Sequence, residues 1–515
     1  MSASTEKKLR QAAREAGTDK KMLAEIEAAK KKSQTKTRWT IGTIAVVILI
    51  AAIIFLDSGY LYKHTTALTV ADETYTPAEM NYQYASQYLY WVNQYGSYAS
   101  LFGLDTSSGI GGLGSQECSM TDGGTWKDYF LDAAVTQVVQ VKALCDYAEA
   151  QGITLDDDEL AEAESDTEYL ETYASLQGYS SANNFLAANY GTGVTVDIAN
   201  KSAINSSLAN KAYNSYSDSL SYTADELEEK YESYEGEKDY FDIAYYYVAA
   251  ETVEAEDGTS AATDETIAAA KDTADAVLAA YEANTEDTDY TTKLNAALAE
   301  VVGDAECTHN TNTQGSSLGN YKEWAMDDSR VAGDATVVES SNNDAYYVVV
   351  FISRNDNHYN LAQVRHILIK AEADEDGVYT DEAKEAAKAK AEEIYAEWQA
   401  GDATEESFAE LANEYSEDTG SNTNGGLYDS VQKNQMVTEF DEFCFGGHKS
   451  GDTAIVYGES SSYAGYHIMY YVGEGEQCSD YLAESDLRSE GVESWIEDLT
   501  AGYEAVKGFW FKLVG

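Results

Sequence analysis

The run VRHILI at residues 364–369 decides the fold of the C-terminal part of this chain. It is short, apolar and rich in β-branched residues, and one histidine interrupts it, which is typical of a buried strand. A second run of the same kind, GYHIMYYV at 465–472, carries a second histidine. Between them the pattern predicts helices at 381–399 and 405–415, a loop rich in Gly, Ser and Asn, and a further helical segment. The order is strand, two helices, loop, helix and two strands, with a histidine on each outer strand.

This order and five short motifs resemble the parvulin (PpiC-type) peptidyl-prolyl isomerases. The motifs are VRHILI, FAELANEYSEDTGS, GGLY, QMVTEF and GYHI, which follow one another between residues 364 and 468. Each motif alone is weak evidence, whereas all of them in the family's order and spacing are specific. The resemblance implies a parvulin domain at 360–474 that isomerises X-Pro peptide bonds without a cofactor.

The resemblance also assigns the site, residue by residue. His366 and His467 would stand on neighbouring strands at the floor of the site, where each can fix the tautomer of the other. Asp418 matches the position at which the family carries Cys or Asp near the substrate carbonyl. The apolar slot for the proline ring would be formed by Tyr428, Met436, Phe440 and Phe445.

Three departures from the family pattern bear on this assignment. The chain reads GGLYD at 425–429, where the family often has GGDLG, and this alters the wall of the slot. Ala464 stands where many members have a bulkier, often aromatic, residue. The basic phosphate-recognising loop of some parvulins is replaced by an acidic stretch at 372–376, so specificity for phosphoserine-proline is not expected.

The reaction implied by the resemblance sets what the site must do. An X-Pro bond interchanges between cis and trans over a barrier of about 18–20 kcal/mol. At the top of this barrier the amide is twisted, its carbonyl is more ketone-like and its nitrogen is more basic. A catalyst therefore needs an apolar slot for the proline ring and surroundings that favour the twisted amide. A thousandfold acceleration needs only about 4 kcal/mol.

Other chemistries fit these residues less well. Ser416, His467 and Asp418 could form a hydrolase triad, but no nucleophile elbow or oxyanion motif accompanies them. The acidic run at 372–377 resembles a calcium loop, yet Ala383 occupies the position of the closing Glu. The five cysteines are far apart and show no CxxC or Cys/His spacing, so we expect free thiols, no zinc site and no disulfide framework.

The same pattern also occurs earlier in the chain, at 238–356. We call 238–356 the first copy and 360–474 the second copy. In the first copy DETIAAAK at 264–271 corresponds to DEAKEAAK at 381–388, and AYYV takes the place of GYHI. Tyr245 and Tyr347 occupy the two histidine positions, and the SEDTGS and QMV elements are missing. We interpret this copy as a parvulin-like fold without the catalytic set, used for spacing or for substrate contact.

Residues 64–237 are predicted to be mainly helical. Their order of elements resembles the N-terminal substrate-holding domain of SurA- and PrsA-like foldases. A C-terminal helix at 481–503 and the apolar tail after it are expected to return to this domain, as they do in the resembled foldases. One early helix carries an aromatic stripe that we interpret as facing the core, formed by Tyr84, Tyr88, Trp91 and Tyr95.

Charge is distributed unevenly over the 515 residues. Residues 1–38 contain 11 Lys/Arg and 5 Asp/Glu, a net charge of +6, which leaves −64 on the rest of a chain whose net charge is −58. Such a negative potential repels phosphates, so we expect no nucleic-acid partner.

An uncharged run of 18 residues, 39–56, follows the basic tail. As a helix it would be about 27 Å long, enough for a thin hydrocarbon core, and the charge asymmetry places the N-terminus inside. We therefore expect a single-pass anchor in the cell membrane, with the bulk of the chain extracytoplasmic, at a bacterial cell surface. A cleaved signal peptide is the alternative, although no clear A-x-A site or lipid-accepting Cys follows the run.

The predicted fold class is α+β, with several domains. They are a basic cytoplasmic tail (1–38), a transmembrane signal-anchor helix (39–57), a helical chaperone domain (64–237), a degenerate parvulin-like domain (238–356), a parvulin domain (360–474) and a C-terminal helical segment (475–515) that returns to the helical domain.

The predicted function is that of a membrane-anchored peptidyl-prolyl isomerase and foldase. Its partners would be unfolded or partly folded secreted polypeptides with X-Pro bonds. Two alternatives stay open at this point. One is a holdase chaperone with vestigial isomerase activity, and the other is an anchored surface interaction protein that reuses the fold.

Overall fold

The computed structural model describes residues 2–17, 20–57, 59–254, 260–374 and 376–515. The chain has a mixed α+β, multidomain architecture and forms two compact units. Unit 1 consists of Met1–Leu220 with Gly491–Gly515, and unit 2 consists of Ser221–Glu490.

The helices and strands are numbered in chain order. The helices are α1 (Ala3–Glu15), α2 (Lys20–Asp57), α3 (Tyr60–His64), α4 (Pro77–Tyr95), α5 (Gly109–Gly112), α6 (Trp126–Gln151), α7 (Asp157–Leu176), α8 (Ala182–Tyr190), α9 (Val196–Ser219), α10 (Ala224–Glu232), α11 (Asp264–Ala283), α12 (Tyr290–Val301), α13 (Lys322–Ala325), α14 (Asp381–Ala400), α15 (Glu405–Tyr415), α16 (Thr438–Phe445) and α17 (Cys478–Thr500). The strands are β1 (Leu68–Val70), β2 (Glu73–Tyr75), β3 (Tyr240–Ala249), β4 (Thr252–Glu254), β5 (Ser260–Ala262), β6 (Thr308–Gln314), β7 (Ala335–Glu339), β8 (Ala345–Asn355), β9 (Asn360–Lys370), β10 (Leu427–Val431), β11 (Thr453–Glu459), β12 (Ala464–Gln477) and β13 (Ala505–Lys507).

Unit 1 is mainly helical and its core is aromatic. Helix α4 begins with a capping box, in which Thr76 and Glu79 satisfy each other's backbone N–H groups. Three members of the predicted aromatic stripe, Tyr84, Tyr88 and Trp91, are buried in this core. The fourth, Tyr95, is 47% exposed because α4 ends there and the chain continues as a 3₁₀ helix, so the interpretation of Tyr95 as a core residue was wrong.

The last part of the C-terminal segment, 491–515, lies within unit 1, whereas 475–490 belongs to unit 2. Strand β13 pairs antiparallel with β1, which gives a small sheet in the order β13-β1-β2. Val514 is buried in the aromatic core and Phe511 packs against it. The apolar tail was expected to return to the helical domain, and within it Phe509 stays 69% exposed.

The predicted membrane anchor, 39–57, falls within the long helix α2. Among the described residues, no helix combines the length and the hydropathy required to cross a bilayer. The side chains at 52–54 and 56–57 of the predicted anchor lie outside the described residues.

Unit 2 contains two four-stranded sheets with the same strand order. The first copy has the order β6-β3-β8-β7 and the second copy has the order β10-β9-β12-β11. In each sheet the neighbouring strands are antiparallel. The two central strands also pair in equivalent register, since His366 lies opposite Met469 in the second copy as Tyr245 lies opposite Val349 in the first. The first copy is therefore a repeat of the second in topology as well as in sequence.

Each face of the second sheet is covered by different helices. Ile367 and Ile468 pack with α14 and α15 on one face, and Val364 and Met469 pack with α16 on the other. Because side chains alternate along a strand, His366 and His467 point to the α16 face. The fold thus brings the two histidines together under α16.

Candidate active site

The two histidines form the centre of a hydrogen-bonded chain. His366 Nδ1 lies 3.0 Å from His467 Nδ1, and the two rings are nearly parallel, with their centroids 5.2 Å apart. On its other side, His366 Nε2 lies 2.9 Å from Asp418 Oδ2. Both histidines are 3% exposed, so this hydrogen-bonded chain of side chains lies beneath the surface of the site.

Three hydroxyl groups complete this network. Tyr428 OH donates to Asp418 Oδ2 at 3.0 Å, and Ser421 Oγ donates to the same oxygen at 2.6 Å. At the far end, Tyr463 OH lies 3.0 Å from His467 Nε2. The network therefore runs from Tyr463 through both histidines to a carboxylate that accepts from several donors.

The chemistry of the acceptor fixes the direction of most of these bonds. An ionised carboxylate can only accept, so His366 Nε2 carries a proton and donates it to Asp418. When His366 carries that proton alone, His467 donates from Nδ1 to His366, and its own Nε2 accepts from the Tyr463 hydroxyl. In this arrangement the carboxylate sets the tautomer of both histidines and the direction of the contact with Tyr463.

Burial and charge keep the site in one ionisation state. The hydrogen bond from His366 holds the pKa of the Asp418 carboxyl below its usual range, and further donors act in the same direction. Burial, together with the neighbouring His366, lowers the pKa of His467 to about 3. Burial and the negative charge of Asp418 raise the pKa of Tyr428 to about 12. The site therefore carries an anion at Asp418 and neutral groups at His467 and Tyr428 near pH 7.

The loop that carries Asp418 is pressed against strand β9. His366 N–H donates to Gly426 O at 2.9 Å, and Gly426 has a φ of 70°. A Cβ added at Gly426 would lie 2.2 Å from His366 O. A glycine is required there both for the backbone conformation and for the close approach. This explains the Gly-Gly pair in the GGLY motif.

The structure brings all four predicted slot residues to one apolar cluster, on the sheet face that carries the histidines. The Phe440 ring lies edge-on to both His366 and His467, with 5.3 Å between centroids in each case. Tyr428 and Met436 are partly buried against the same cluster. Phe440 is only 2% exposed and so forms the base of the slot.

The fourth predicted slot residue, Phe445, faces a different neighbourhood. Its ring lies edge-on to Tyr359 at 5.6 Å, and Lys433 Nζ lies 5.7 Å from its centroid. Phe440 and Phe445 are five residues apart on α16, which separates them by about 140° around the helix axis. Phe445 therefore supports the far side of the cluster.

Sequence reasoning did not nominate two members of the network, Ser421 and Tyr463. Ser421 is the last residue of the SEDTGS motif, so its place in a family motif was a signal that could have been used. Tyr463 precedes Ala464, the position noted above as lacking a bulky residue. The aromatic side chain is present one residue earlier, and its hydroxyl reaches His467.

The first copy has tyrosines where the second has this network. Tyr245 and Tyr347 lie at the positions of His366 and His467, with 5.9 Å between ring centroids. Tyr321 completes a group of three rings, 5.6 Å from Tyr245 and 5.9 Å from Tyr347.

Metal binding has no support within the described part of the chain, where no group of three or more His, Cys, Asp or Glu side chains could hold an ion. The acidic run at 372–377, noted above for its likeness to a calcium loop, includes residue 375, which lies outside the described residues.

Comparison with known protein families gives a match to the region that holds this site. A family model described as "PPIC-type PPIASE domain" matches residues 347–472. The chain is 32% identical over 147 residues to the chaperone SurA of Hahella chejuensis, covering 27% of this chain and 30% of that one. It is 31% identical over 98 residues to the foldase protein PrsA 1 of Listeria monocytogenes, covering 19% and 32%. The chain thus spans about a third of the length of these relatives.

Some of the solved structures to which this chain is similar are also PrsA proteins. A peptidylprolyl isomerase (PrsA) from Bacillus anthracis is 22% identical, with 28% of this chain and 59% of that chain covered and a TM-score of 0.18. The foldase protein PrsA from Streptococcus pneumoniae is 11% identical, with 77% and 97% covered and a TM-score of 0.24. The resemblance drawn from the motifs is confirmed by the family match and the curated relatives: residues 347–472 match the PPIC-type (parvulin) peptidyl-prolyl isomerase domain, and part of the chain is similar to SurA and PrsA.

Proposed function

We propose that this chain catalyses the cis–trans isomerisation of X-Pro bonds in unfolded polypeptides, through its parvulin domain. One observation carries the proposal. A continuous hydrogen-bonded chain from Tyr463 to Asp418 lies directly beside an apolar slot, with Phe440 in contact with both histidines. Catalysed rotation about an X-Pro amide requires an apolar slot that grips the proline ring. It also requires a polar group near the carbonyl oxygen, which we call the polar wall. These residues supply both.

The slot residues supply the grip. Met436 and Phe440 offer apolar surface that matches a proline ring, and burying that ring gives about 1–3 kcal/mol. Holding the ring lets the rest of the polypeptide turn about the C–N bond, so that the amide twists inside the site. Tyr428 closes the side of the slot next to the carboxylate, where its hydroxyl bonds to Asp418.

Asp418 supplies the polar wall. Its Oδ2 accepts from the network, whereas its Oδ1 accepts one longer bond, 3.3 Å, from Gly420 N. The carbonyl oxygen of a planar amide carries more negative charge than that of a twisted amide, because twisting removes the resonance. An anionic Oδ1 near that oxygen therefore disfavours the planar forms more than the transition state. The role of the histidines is to hold Asp418 ionised and in place.

The experiment measures exchange between the cis and trans forms of an Ala-Pro peptide by NMR, with and without the full chain. We expect catalysed exchange with the wild type, and a phosphoserine-proline peptide should be a poorer substrate than its unphosphorylated counterpart. Exchange at the uncatalysed rate with the wild type would contradict the proposal and favour a holdase.

A second function, the holding of unfolded segments by unit 1, is favoured by a specific observation. A cavity of about 420 Å³ in unit 1 is lined by aromatic and apolar side chains, and several of them are exposed. The aromatic members are Tyr90, Trp91, Tyr95, Phe102, Tyr129 and Phe130. Holding needs no twisted amide, so aggregation suppression should survive in His366→Ala. An equal loss of isomerisation and of holding in that variant would contradict separate roles.

The proposed setting is extracytoplasmic, with the chain anchored by α2 and secreted polypeptides as clients. The support is the uncharged run at 39–56, where the side chains of Trp39, Ile44 and Ile48 are exposed. Trp39 is the first residue of this run and Tyr60 follows its end, and aromatic residues are enriched at membrane interfaces.

Carbonate extraction of membranes from cells that express the full chain tests the anchor. We expect the wild type to stay in the pellet and Val47→Asp to be released. Release of the wild type would contradict anchoring. A mature N-terminus beyond residue 57 would identify a cleaved signal peptide instead.

A further inference from the structure

The segment 432–437, between β10 and α16, carries the slot residue Met436, and we call it the slot loop. It also carries Val437, whose Cγ2 lies 2.8 Å from where a Cβ on Gly458 would be, next to His467. The slot loop therefore adjoins both the proline slot and the histidine pair. The hydrogen bonds that hold the slot loop in place come largely from residues outside the sheet of the second copy.

The first of these contacts comes from the first copy. Asn434 Nδ2 in the slot loop donates to Asn312 Oδ1 on strand β6 at 2.9 Å. Both residues have a left-handed backbone, with φ of 62° at Asn434 and 50° at Asn312. Asparagine tolerates this conformation better than most residues, so both sites suit the residue that they carry.

Each asparagine is also held within its own copy. Asn312 N–H donates to Asp242 Oδ1 on β3 at 2.8 Å, and Asn434 N–H donates to Asp441 Oδ1 on α16 at 2.7 Å. The contact between the copies thus joins two backbones that are already fixed. Because both backbones are already fixed, the bond between the two side chains costs little further backbone entropy, so it can transmit position.

The second contact comes from the linker between the copies. Lys433 N–H in the slot loop donates to Tyr359 OH at 2.9 Å, and Lys433 Nζ lies 4.3 Å from the centre of the Tyr359 ring. Tyr359 O in turn accepts from Cys478 N–H at 2.8 Å, at the start of α17. The linker therefore holds the slot loop through the tyrosine hydroxyl and ring.

We propose that the first copy and the linker position the proline slot, with Asn312 and Tyr359 as positioning residues for Met436. The inference rests on the proposed isomerase function, because it concerns the slot of that site. It gives the first copy a role that needs no catalytic set of its own. Both residues would act through Met436 and not by touching the substrate. Their loss should therefore displace Met436 and weaken substrate binding, while the network at Asp418 stays intact.

The experiment uses the full chain and an Ala-Pro peptide, and it separates KM from kcat. We expect KM to rise about two- to fivefold in Asn312→Ala, as for the loss of one hydrogen bond, with kcat within twofold. Asn312→Asp keeps the acceptor oxygen and should restore the wild-type KM. Asn343→Ala is the matched control, because Asn343 is an exposed residue of the first copy with a φ of 56°.

Two further variants test the contacts themselves. Asn434→Ala should have the same effect as Asn312→Ala, and the double variant should be no worse than either, because both changes remove one bond. Tyr359→Phe removes the acceptor of Lys433 N–H but keeps the ring, and it should also raise KM. Tyr247→Phe, at an exposed tyrosine of the first copy, is its control.

A readout without turnover keeps the inference distinct from the proposed function. The Met436 methyl signal, labelled with ¹³C and assigned with Met436→Leu, should shift in Asn312→Ala and Tyr359→Phe and stay in place in Asn312→Asp and Asn343→Ala. Should the wild type show no isomerisation, the proposed function fails, and this signal still decides whether the slot loop is positioned from outside. Unchanged KM and an unchanged methyl signal in both variants would overturn the inference, as would equal shifts in the controls.

Discussion

The two copies in unit 2 share a strand order and a register, yet they carry different side chains at the same two positions. The second copy has His366 and His467 in a network that ends on Asp418, and the first copy has Tyr245 and Tyr347 in a ring cluster. The same sheet therefore forms whether its two central strands carry histidines or tyrosines at these positions. What makes the second copy a candidate catalyst is the loop that brings Asp418 to the strands.

The connection before the edge strand shows the difference most directly. In the second copy, α15 ends at Tyr415 and β10 begins at Leu427, and the loop between them supplies Asp418 and Ser421. In the first copy, α12 ends at Val301 and β6 begins at Thr308, so the corresponding connection is shorter. A histidine on the sheet of the first copy would have no such loop to supply a carboxylate partner. The catalytic set thus depends on strand and loop together.

The largest expected effect comes from pushing this loop away from the strand. Gly426→Ala adds strain at a φ of 70° and a Cβ 2.2 Å from His366 O. Overpacking against backbone should lower the free energy of unfolding by about 3 kcal/mol and abolish most isomerase activity. Urea denaturation and the Ala-Pro assay measure both quantities.

Gly303→Ala in the first copy is the control for this prediction. Gly303 also has a positive φ, 97°, but no atom lies within 4 Å of its added Cβ. We expect a loss of about 1 kcal/mol from backbone strain, with activity retained. Equal losses in the two variants would show that the loop of the second copy is not pressed against its strand.

The next effect separates the slot from the carboxylate. Met436→Ala and Phe440→Ala should each lower kcat/KM about 5- to 30-fold, because each removes apolar surface that grips the proline ring. Asp418→Asn should cost less, since the amide oxygen can still accept from the network. The assay is kcat/KM on an Ala-Pro peptide, with near-UV circular dichroism as the check on folding. A larger loss in Asp418→Asn than in both slot variants would make the carboxylate the main catalytic group.

A smaller expected effect is a difference between the two copies in how their stability depends on pH. His467 is held neutral in the folded state with a pKa of about 3, whereas an unfolded histidine titrates near about 6.5. Below about pH 6.5 the unfolded state binds a proton that the folded state excludes, so stability falls as the pH falls. The lowered pKa of Asp418 adds to this loss only below about pH 4, where the unfolded carboxyl protonates.

We expect strands β9 and β12 to lose about 1–2 kcal/mol of protection between pH 7 and pH 5, and β3 and β8 to lose less. Hydrogen exchange, corrected for its intrinsic pH dependence, measures each sheet. His467→Asn should flatten the profile of the second copy. An equal slope in both copies, unchanged in His467→Asn, would contradict the assignment of this slope to the histidine.

The strands could be predicted from their apolar, β-branched runs, whereas the histidine pair and Asp418 were assigned through the resemblance of the motifs to the parvulin family. The hydrogen-bond partners that other segments supply to these residues show no recognisable pattern in the sequence. Tyr463 lies before its strand and Ser421 lies in a turn, and neither position has a periodicity that reveals its target. Phe445 was assigned to the slot by the resemblance, and the helical rotation between Phe440 and Phe445 turns its ring toward Tyr359.

The smallest expected effect concerns the far end of the network. Tyr463→Phe removes the hydroxyl that contacts His467 Nε2 and leaves the ring in place. We expect kcat to fall about threefold, close to the loss of one neutral hydrogen bond, with KM unchanged. The ¹⁵N shifts of the His467 ring should move toward a mixture of tautomers, and the shifts of His448 serve as the internal control. Unchanged ring shifts would show that Tyr463 does not orient His467.

The central claim is that isomerase activity resides in one copy of a repeated fold. The direct test compares kcat/KM on an Ala-Pro peptide for the full chain, for His366→Ala/His467→Ala and for Tyr245→Ala/Tyr347→Ala, each with its folding checked by circular dichroism. We predict that the histidine pair lowers kcat/KM by at least about 30-fold, because it releases Asp418 and also removes the two rings on which Phe440 of the slot packs, while the tyrosine pair changes it less than about twofold. A comparable loss from the tyrosine pair, or retained activity in the histidine pair, would contradict the account.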